Sequence, residues 1–256
     1  MKNNSSKHNI CDYANLDYQE DFWQNEVDRS YENSTEHNLL KELFKYYKGV
    51  SLIDIGAGFG RLTPTYKDLF KKISLLDYSS LLLDKAKKKF EKDTNIEYIK
   101  ANCYQMPIAD NTFNIALSFR LMHHIEHVPD FLREVYRILK PGGILILEFA
   151  NKKNFLEIAR SFLGKSDKEP FSLAPYQYED KVYYNFHPDY ILQKASEEGF
   201  IVCRKYSISN FRHQIFKKVF PLKVLLLLEK YLRNLLSFLN FGPSIVIVLK
   251  KDFVEK

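Results

Sequence analysis

The stretch with the clearest chemical meaning is Asp54-Ile55-Gly56-Ala57-Gly58-Phe59-Gly60. It follows an apolar run, Val50 to Ile55, that reads as a buried strand. It precedes Leu62 to Phe70, expected to be helical with Pro64 in the first turn. Glycines at such a junction let the chain turn at positive φ and bring bare backbone against a ligand. A dinucleotide fingerprint places its third glycine one position later, where Arg61 stands. A tight turn with no ligand is the competing reading of this motif taken alone. Asp77 narrows the choice, because it closes the next strand, Ile73 to Asp77, about 20 residues after the first glycine. A carboxylate there can accept both hydroxyls of a ribose. Asn102, just past a third strand at Ile96 to Lys100, offers its amide to an adenine edge or simply makes a turn.

These positions together describe a nucleoside pocket, and the glycine spacing favours S-adenosylmethionine over NAD. His123, His124 and His127 follow a fourth strand, Phe113 to Phe119. Loops at that end of a parallel sheet line ligand sites. His123 and His124 are therefore the candidate catalytic bases, whereas packing before the next helix is the better reading of His127. No carboxylates accompany them at ligand spacing, so no metal site is expected. Cys11, Cys103 and Cys203 are odd in number and far apart, so neither a disulfide framework nor a zinc site follows. A reducing, cytoplasmic setting suits them. The polar start, MKNNSSKHNI, lacks the apolar core of a secretory signal.

The elements that must position these residues form one pattern. Thr35 to Tyr47 reads as an amphipathic helix, Ser79 or Ser80 caps a helix to about Lys92, and Pro129 to Leu139 forms another. Lys140-Pro141-Gly142-Gly143 makes a turn into the apolar strand Ile144 to Phe149. Two late strands, Phe200 to Ser207 and Ser244 to Lys250, complete the count. The expected class is α/β, a Rossmann-like doubly wound, mostly parallel seven-stranded sheet, with an antiparallel last strand and a helical insertion before it. At 256 residues and 45% hydrophobic content, one large domain is the natural reading. Residues 1–34 are read as an N-terminal lid segment and 35–256 as the domain, with a cap insertion at about 209–243. Of the net charge of +6, the segment from Ser209 to Pro243 holds +5, six cations against Glu229. Its VLLLL centre is interrupted by Glu229, Lys230 and Arg233, so it is too short and too charged to span a bilayer.

With these residues in place, the sequence resembles the class I S-adenosylmethionine-dependent methyltransferases from about residue 50 to 150. The run MPIADNTFNIALSFRLMHHI followed by EVYRILKPGG is similar to that family's fourth strand and the approach to its fifth. The resemblance implies S-adenosylmethionine as cofactor. Asp54, Gly56, Ala57, Gly58 and Gly60 would wrap its methionine part, Asp77 and Tyr78 its ribose, and Asn102 and Cys103 its adenine. Phe119 joins this set. Arg29 and Tyr31, in an aromatic segment that also holds Tyr13, Tyr18, Phe22 and Trp23, would close over the cofactor or else merely pack on the sheet. Aspartate is common in the family where Asn102 and Asn114 stand, and the second of these is a position that serves the fold. The implied activity is methyl transfer to a small hydrophobic acceptor. A non-catalytic sensor of the cofactor and an RNA- or lipid-directed enzyme are the alternatives. Peripheral membrane contact through 211–241 ranks above nucleic-acid binding, and the oligomeric state is open.

Overall fold

The computed structural model describes residues 29–178 and 183–252. Helix α1 (Ser30–Tyr46) leads into β1 (Ser51–Ile55), β2 (Lys72–Asp77), α2 (Ser80–Lys89), β3 (Ile96–Lys100) and β4 (Phe113–Ser118). Then come α3 (Val128–Ile138), β5 (Leu139–Ala150), α4 (Phe155–Phe162) and the short strands β6 (Tyr176–Gln177) and β7 (Tyr184–Asn185). The chain ends with α5 (Pro188–Glu197), β8 (Phe200–Ile208), α6 (Gln214–Val219), α7 (Leu222–Phe238) and β9 (Ser244–Lys251). Seven strands form one sheet in the order β3-β2-β1-β4-β5-β9-β8, with β6 and β7 as a separate ribbon. The first five are parallel, and β9 runs antiparallel to both β5 and β8. This is the α/β class and strand count expected from the sequence.

Alternation along the strands builds two apolar layers, one on each face of the sheet. Ile53, Leu145, Leu147, Ile245 and Ile247 point into one, with Phe131 and Val135 of α3. Leu52, Ile146, Val246 and Val248 point into the other, with Leu39, Leu40 and Leu43 of α1. Each such fully buried side chain contributes about 1.5–3 kcal/mol by leaving water. Chain order reverses at β1, which lies between β2 and β4, so a crevice opens beyond the carboxyl ends of those strands.

Three local expectations give way. Leu62 to Phe70 is not a helix: a single 3-10 turn at Thr63–Thr65 holds Pro64, and plain turns follow. Two β-branched threonines and a proline are poor helix formers, and Asn95 Nδ2 ties down the carbonyls of Lys67 and Phe70, each at 2.9 Å. The Lys140 to Gly143 turn is absorbed into β5, whose pairing with β4 shifts register between Phe113 and Ile115. Helix α1 starts five residues before Thr35, because Tyr31, Glu32 and Glu36 share its buried face and conceal its periodicity. Tyr31 therefore belongs to a packed helix. Most of the expected lid, including Tyr13, Tyr18, Phe22 and Trp23, lies outside the described residues, as does Cys11.

The insertion folds as α6 and α7. Helix α7 packs on α1 and β8, and buries Leu225, Glu229, Arg233 and Leu236. Glu229 accepts from the Tyr31 hydroxyl at 2.6 Å and from the Ser209 N–H at 2.9 Å, and Arg233 pairs with Glu42 of α1. Among the described residues no helix is long and apolar enough to cross a membrane.

Candidate active site

The glycine turn forms as a backbone structure. The N–H groups of Gly56 and Ala57 both donate to the Leu76 carbonyl, at 2.8 and 3.0 Å, which folds the end of β1 over β2. Gly56, Gly58 and Gly60 have φ of 77°, 56° and 72°. A Cβ on Gly56 would lie 3.0 Å from Leu121, and one on Gly60 would lie 2.5 Å from the Phe90 ring. Asp77 stands opposite, accepting from the Gly58 N–H at 2.8 Å and the Ser79 N–H at 2.9 Å. Each bond uses a different carboxylate oxygen, and each oxygen retains accepting capacity. Between them a cleft of about 1030 Å³, counted to its open mouth, runs along the carboxyl ends of the strands.

The charges at this cleft are held by a buried strut. Glu36 of α1, with its side chain fully buried, accepts from Arg61 Nη2 at 2.5 Å and from Arg120 Nε at 2.8 Å. Burial alone would raise the Glu36 pKa, but Arg120 and Arg61 outweigh it and keep the group below its ordinary value. One carboxylate thus anchors the residue after the glycine turn and the residue after β4. Arg120 sits at φ 58°, and its N–H donates to Glu148 at 3.0 Å. Asp54 lies beneath the turn, 3% exposed, accepting from the Tyr66 hydroxyl at 2.6 Å. Burial pushes its pKa up to about 7, against the pull of Tyr66 and Arg61.

His124 lines the cleft and His123 lies tilted against it, with ring centroids 4.0 Å apart and planes at 51°. Tyr183 covers both rings, at 5.4 and 4.9 Å. Burial drives the His123 pKa well below its ordinary value, helped by the charges of His124 and Arg120, so that ring is neutral at pH 7. His127 is exposed just before α3, with Tyr104 Oη accepting its N–H at 3.3 Å. Burial raises the Cys103 thiol to about 12, which excludes a thiolate nucleophile there. Asn102 Oδ1 accepts from the Tyr104 N–H at 3.0 Å, so this side chain shapes its own turn as well as facing the cleft. Asn114 serves the fold, its Oδ1 accepting from the N–H groups of Val50 and Ser51.

Ten of the residues named from the sequence therefore meet on one cleft: Asp54, Gly56, Ala57, Gly58, Asp77, Tyr78, Asn102, Cys103, Phe119 and His124. Gly60 and His123 stand one residue behind its wall. Arg29 and Tyr31 do not join them. Tyr31 is 1% exposed and committed to Glu229, while Arg29 lines a second cavity behind β5. Sequence reasoning missed Glu36, Arg61, Arg120 and Tyr183, because nothing local distinguishes one helix glutamate or tyrosine from another. Among the described residues no three histidine, cysteine or acidic side chains are grouped to hold a metal.

The cleft's own features fit S-adenosylmethionine. Bare backbone at Gly56 leaves room that a Cβ would close against Leu121, and Asp77 presents acceptors for a diol. Asp54 and Asp77 with Arg61 and Arg120 offer both signs of charge to an amino-acid zwitterion.

Comparison with known proteins agrees. Residues 53–147 match the model of a methyltransferase domain family. The ubiquinone/menaquinone biosynthesis C-methyltransferase UbiE of Klebsiella pneumoniae is 35% identical over 111 residues, 40% of this chain and 44% of that one. The Escherichia coli protein of the same name matches equally. The chain therefore spans under half the length of these relatives. Its fold superposes on an S-adenosylmethionine dependent methyltransferase from Mesorhizobium loti with a TM-score of 0.59 at 16% identity, over 84% of this chain and 96% of that one. It superposes on the (4+2)-cyclase SpnF with a TM-score of 0.61 at 16% identity, over 97% and 89%. Residues 53–147 are thus similar to a methyltransferase domain, and the sheet order of the chain is that of the solved methyltransferase folds it superposes on.

Proposed function

We propose that the chain is an enzyme that transfers the methyl group of S-adenosylmethionine to a small-molecule acceptor. The observation that carries this reading is the cleft at the β1/β4 reversal, where bare Gly56 faces Leu121 and Asp77 is held ready by two backbone N–H groups. Bound there, S-adenosylmethionine supplies an electrophilic methyl group on a sulfonium. The chain's own task is alignment and exclusion of water, worth about 7–11 kcal/mol when the acceptor is already nucleophilic. Asp77 and Tyr78 hold the ribose, Asn102 and Cys103 flank the base, and Phe119 shields the reacting end. His124 is the group placed to take a proton from a hydroxyl or amide acceptor. His123, held neutral by burial, positions the His124 ring. The UbiE relatives are named for carbon methylation, which supports a small organic acceptor without identifying it.

Calorimetry with S-adenosylmethionine and S-adenosylhomocysteine on wild type and Asp77→Ala tests this. Losing the ribose acceptor weakens binding by about 2 kcal/mol, roughly 30-fold, because its hydroxyl partners are left unpaired. Equal affinities would take Asp77 out of the site. Incubation of radiolabelled cofactor with cell extract then separates enzyme from sensor: saturable binding without labelled product means a non-catalytic binder.

A second reading concerns location. Helix α7 and the end of α6 leave Val219, Leu227, Tyr231, Leu235 and Phe238 exposed among the exposed Lys218, Lys223 and Lys230. Apolar anchors ringed by lysines suit the surface of an anionic membrane. Flotation with phosphatidylglycerol vesicles, but not with phosphatidylcholine vesicles, is the expected result, and flotation with neither removes this contact.

A further inference from the structure

We infer that the second cavity is the acceptor site and that it takes an amphiphile with an anionic head, clamped by Arg212 beside Arg29 and Arg120. This rests on the methyltransferase reading of the neighbouring cleft. The cavity measures about 2290 Å³ to its open mouth and lies between β5, α4 and α6. Among the described residues Arg120 is the one side chain on the walls of both spaces, so it marks where they adjoin.

Among the described residues the walls carry seven lysine and arginine side chains against two carboxylates, Glu32 and Glu157. Both carboxylates are already engaged. Lys217 binds Glu32 at 2.7 Å, and Arg160 and Lys168 bind Glu157 at 2.8 and 3.3 Å. Arg120 is held by Glu36. Among the described residues Arg212 has no carboxylate at ion-pair distance. Packing around its guanidinium lowers its pKa, and the like charges of Arg120 and Arg29 add to that against the opposing pull of Glu32 and Glu148. A guanidinium without a carboxylate at ion-pair distance, set beside two others, favours the entry of an anion, and its planar fork matches a carboxylate or phosphate.

Beside asparagines and His213, the wall carries an apolar stretch from Phe155, Leu156, Ile215, Phe216 and Phe241. Phe155 and Phe241 stack at 5.0 Å, and Phe155 and Ile215 remain 53% and 63% exposed. Uncovered apolar area beside an uncompensated cation suits one molecule with a charged end and a hydrocarbon or aromatic body.

The full chain, saturated with S-adenosylhomocysteine, is titrated with octanoate, octyl phosphate, octanol and octyltrimethylammonium below their micelle concentrations. The two anions bind saturably, and the alcohol and the cation bind at least tenfold more weakly. Preference between octanoate and octyl phosphate assigns the head as carboxylate or phosphate. Arg212→Gln, at an exposed position, lowers anion affinity at least tenfold while S-adenosylhomocysteine affinity and Tm stay unchanged, and Lys88→Gln on α2 changes nothing. Equal binding of all four probes, or wild-type anion affinity in Arg212→Gln, overturns the inference. Failure of wild type to bind S-adenosylhomocysteine overturns the methyltransferase reading instead, whatever the anions do.

Discussion

The two cavities that meet at Arg120 are built on opposite principles. The cofactor cleft is walled largely by backbone: two glycines at positive φ, the strand ends, and N–H groups that hold Asp77. Its charged lining is mixed, with Asp54 and Asp77 against Arg61 and Arg120. The second cavity is walled by side chains from α1, β5, α4 and α6, and among the described residues its cations outnumber its carboxylates. A wall of backbone admits one shape and tolerates little change, while a wall of side chains sets charge and polarity and can be altered without unfolding the chain.

The most damaging test of this contrast is Glu36→Gln, since Glu36 is the strut common to both spaces. Removing one partner from a buried ion pair leaves uncompensated charge, and a loss of about 3 kcal/mol in stability is expected. Urea unfolding reads it as a lower midpoint with an unchanged slope. Both cofactor and anion binding should weaken, because Arg61 and Arg120 lose their anchor together. An unchanged midpoint would mean that the two cavities are positioned independently.

Next in size is Gly56→Ala, which touches the backbone wall alone. An L-residue at φ 77° with its Cβ 3.0 Å from Leu121 carries strain of about 1–3 kcal/mol. S-adenosylhomocysteine affinity should fall at least tenfold by calorimetry, with octanoate binding retained. Loss of both ligands would show that the walls are not separable.

The same division explains what was legible from sequence. The five inner strands read as apolar runs, since burial on both faces leaves no other pattern, whereas the edge strands β3 and β8 mix charged with apolar residues and are partly exposed. The glycine turn and Asp77 were readable because backbone conformation is dictated by residue type close in sequence. Arg61, Arg120 and Glu36 were not, because their meaning arises only when α1 crosses the sheet and brings positions 25 and 84 residues apart into contact. Tyr31 was misplaced for the same reason, its partner Glu229 lying 198 residues away. Leu62 to Phe70 misled in the other direction, since its apolar spacing suggested a helix that Pro64 and Asn95 replace with turns.

The last test isolates the charge of the cleft itself. Asp54 has an ordinary value of 3.8 in the unfolded chain and is raised to about 7 by burial in the folded one. Below about pH 4 the group is protonated in both states and costs nothing. As pH rises towards 7 the unfolded chain releases this proton and the folded chain keeps it, so the stability contribution is lost over that window. The slope is at most about 1.4 kcal/mol per pH unit, and it vanishes above the folded value. Asp54→Asn keeps an acceptor for the Tyr66 hydroxyl and removes the titration. The stability difference between variant and wild type should therefore move in the variant's favour from pH 5 to 7 and stay level from pH 7.5 to 8.5, as read by urea midpoints across that range. A difference independent of pH would mean that Asp54 is ionised throughout. The cleft would then carry two full carboxylates even when empty, and its contrast with the cationic cavity would be one of charge from the outset rather than one that a bound cation completes.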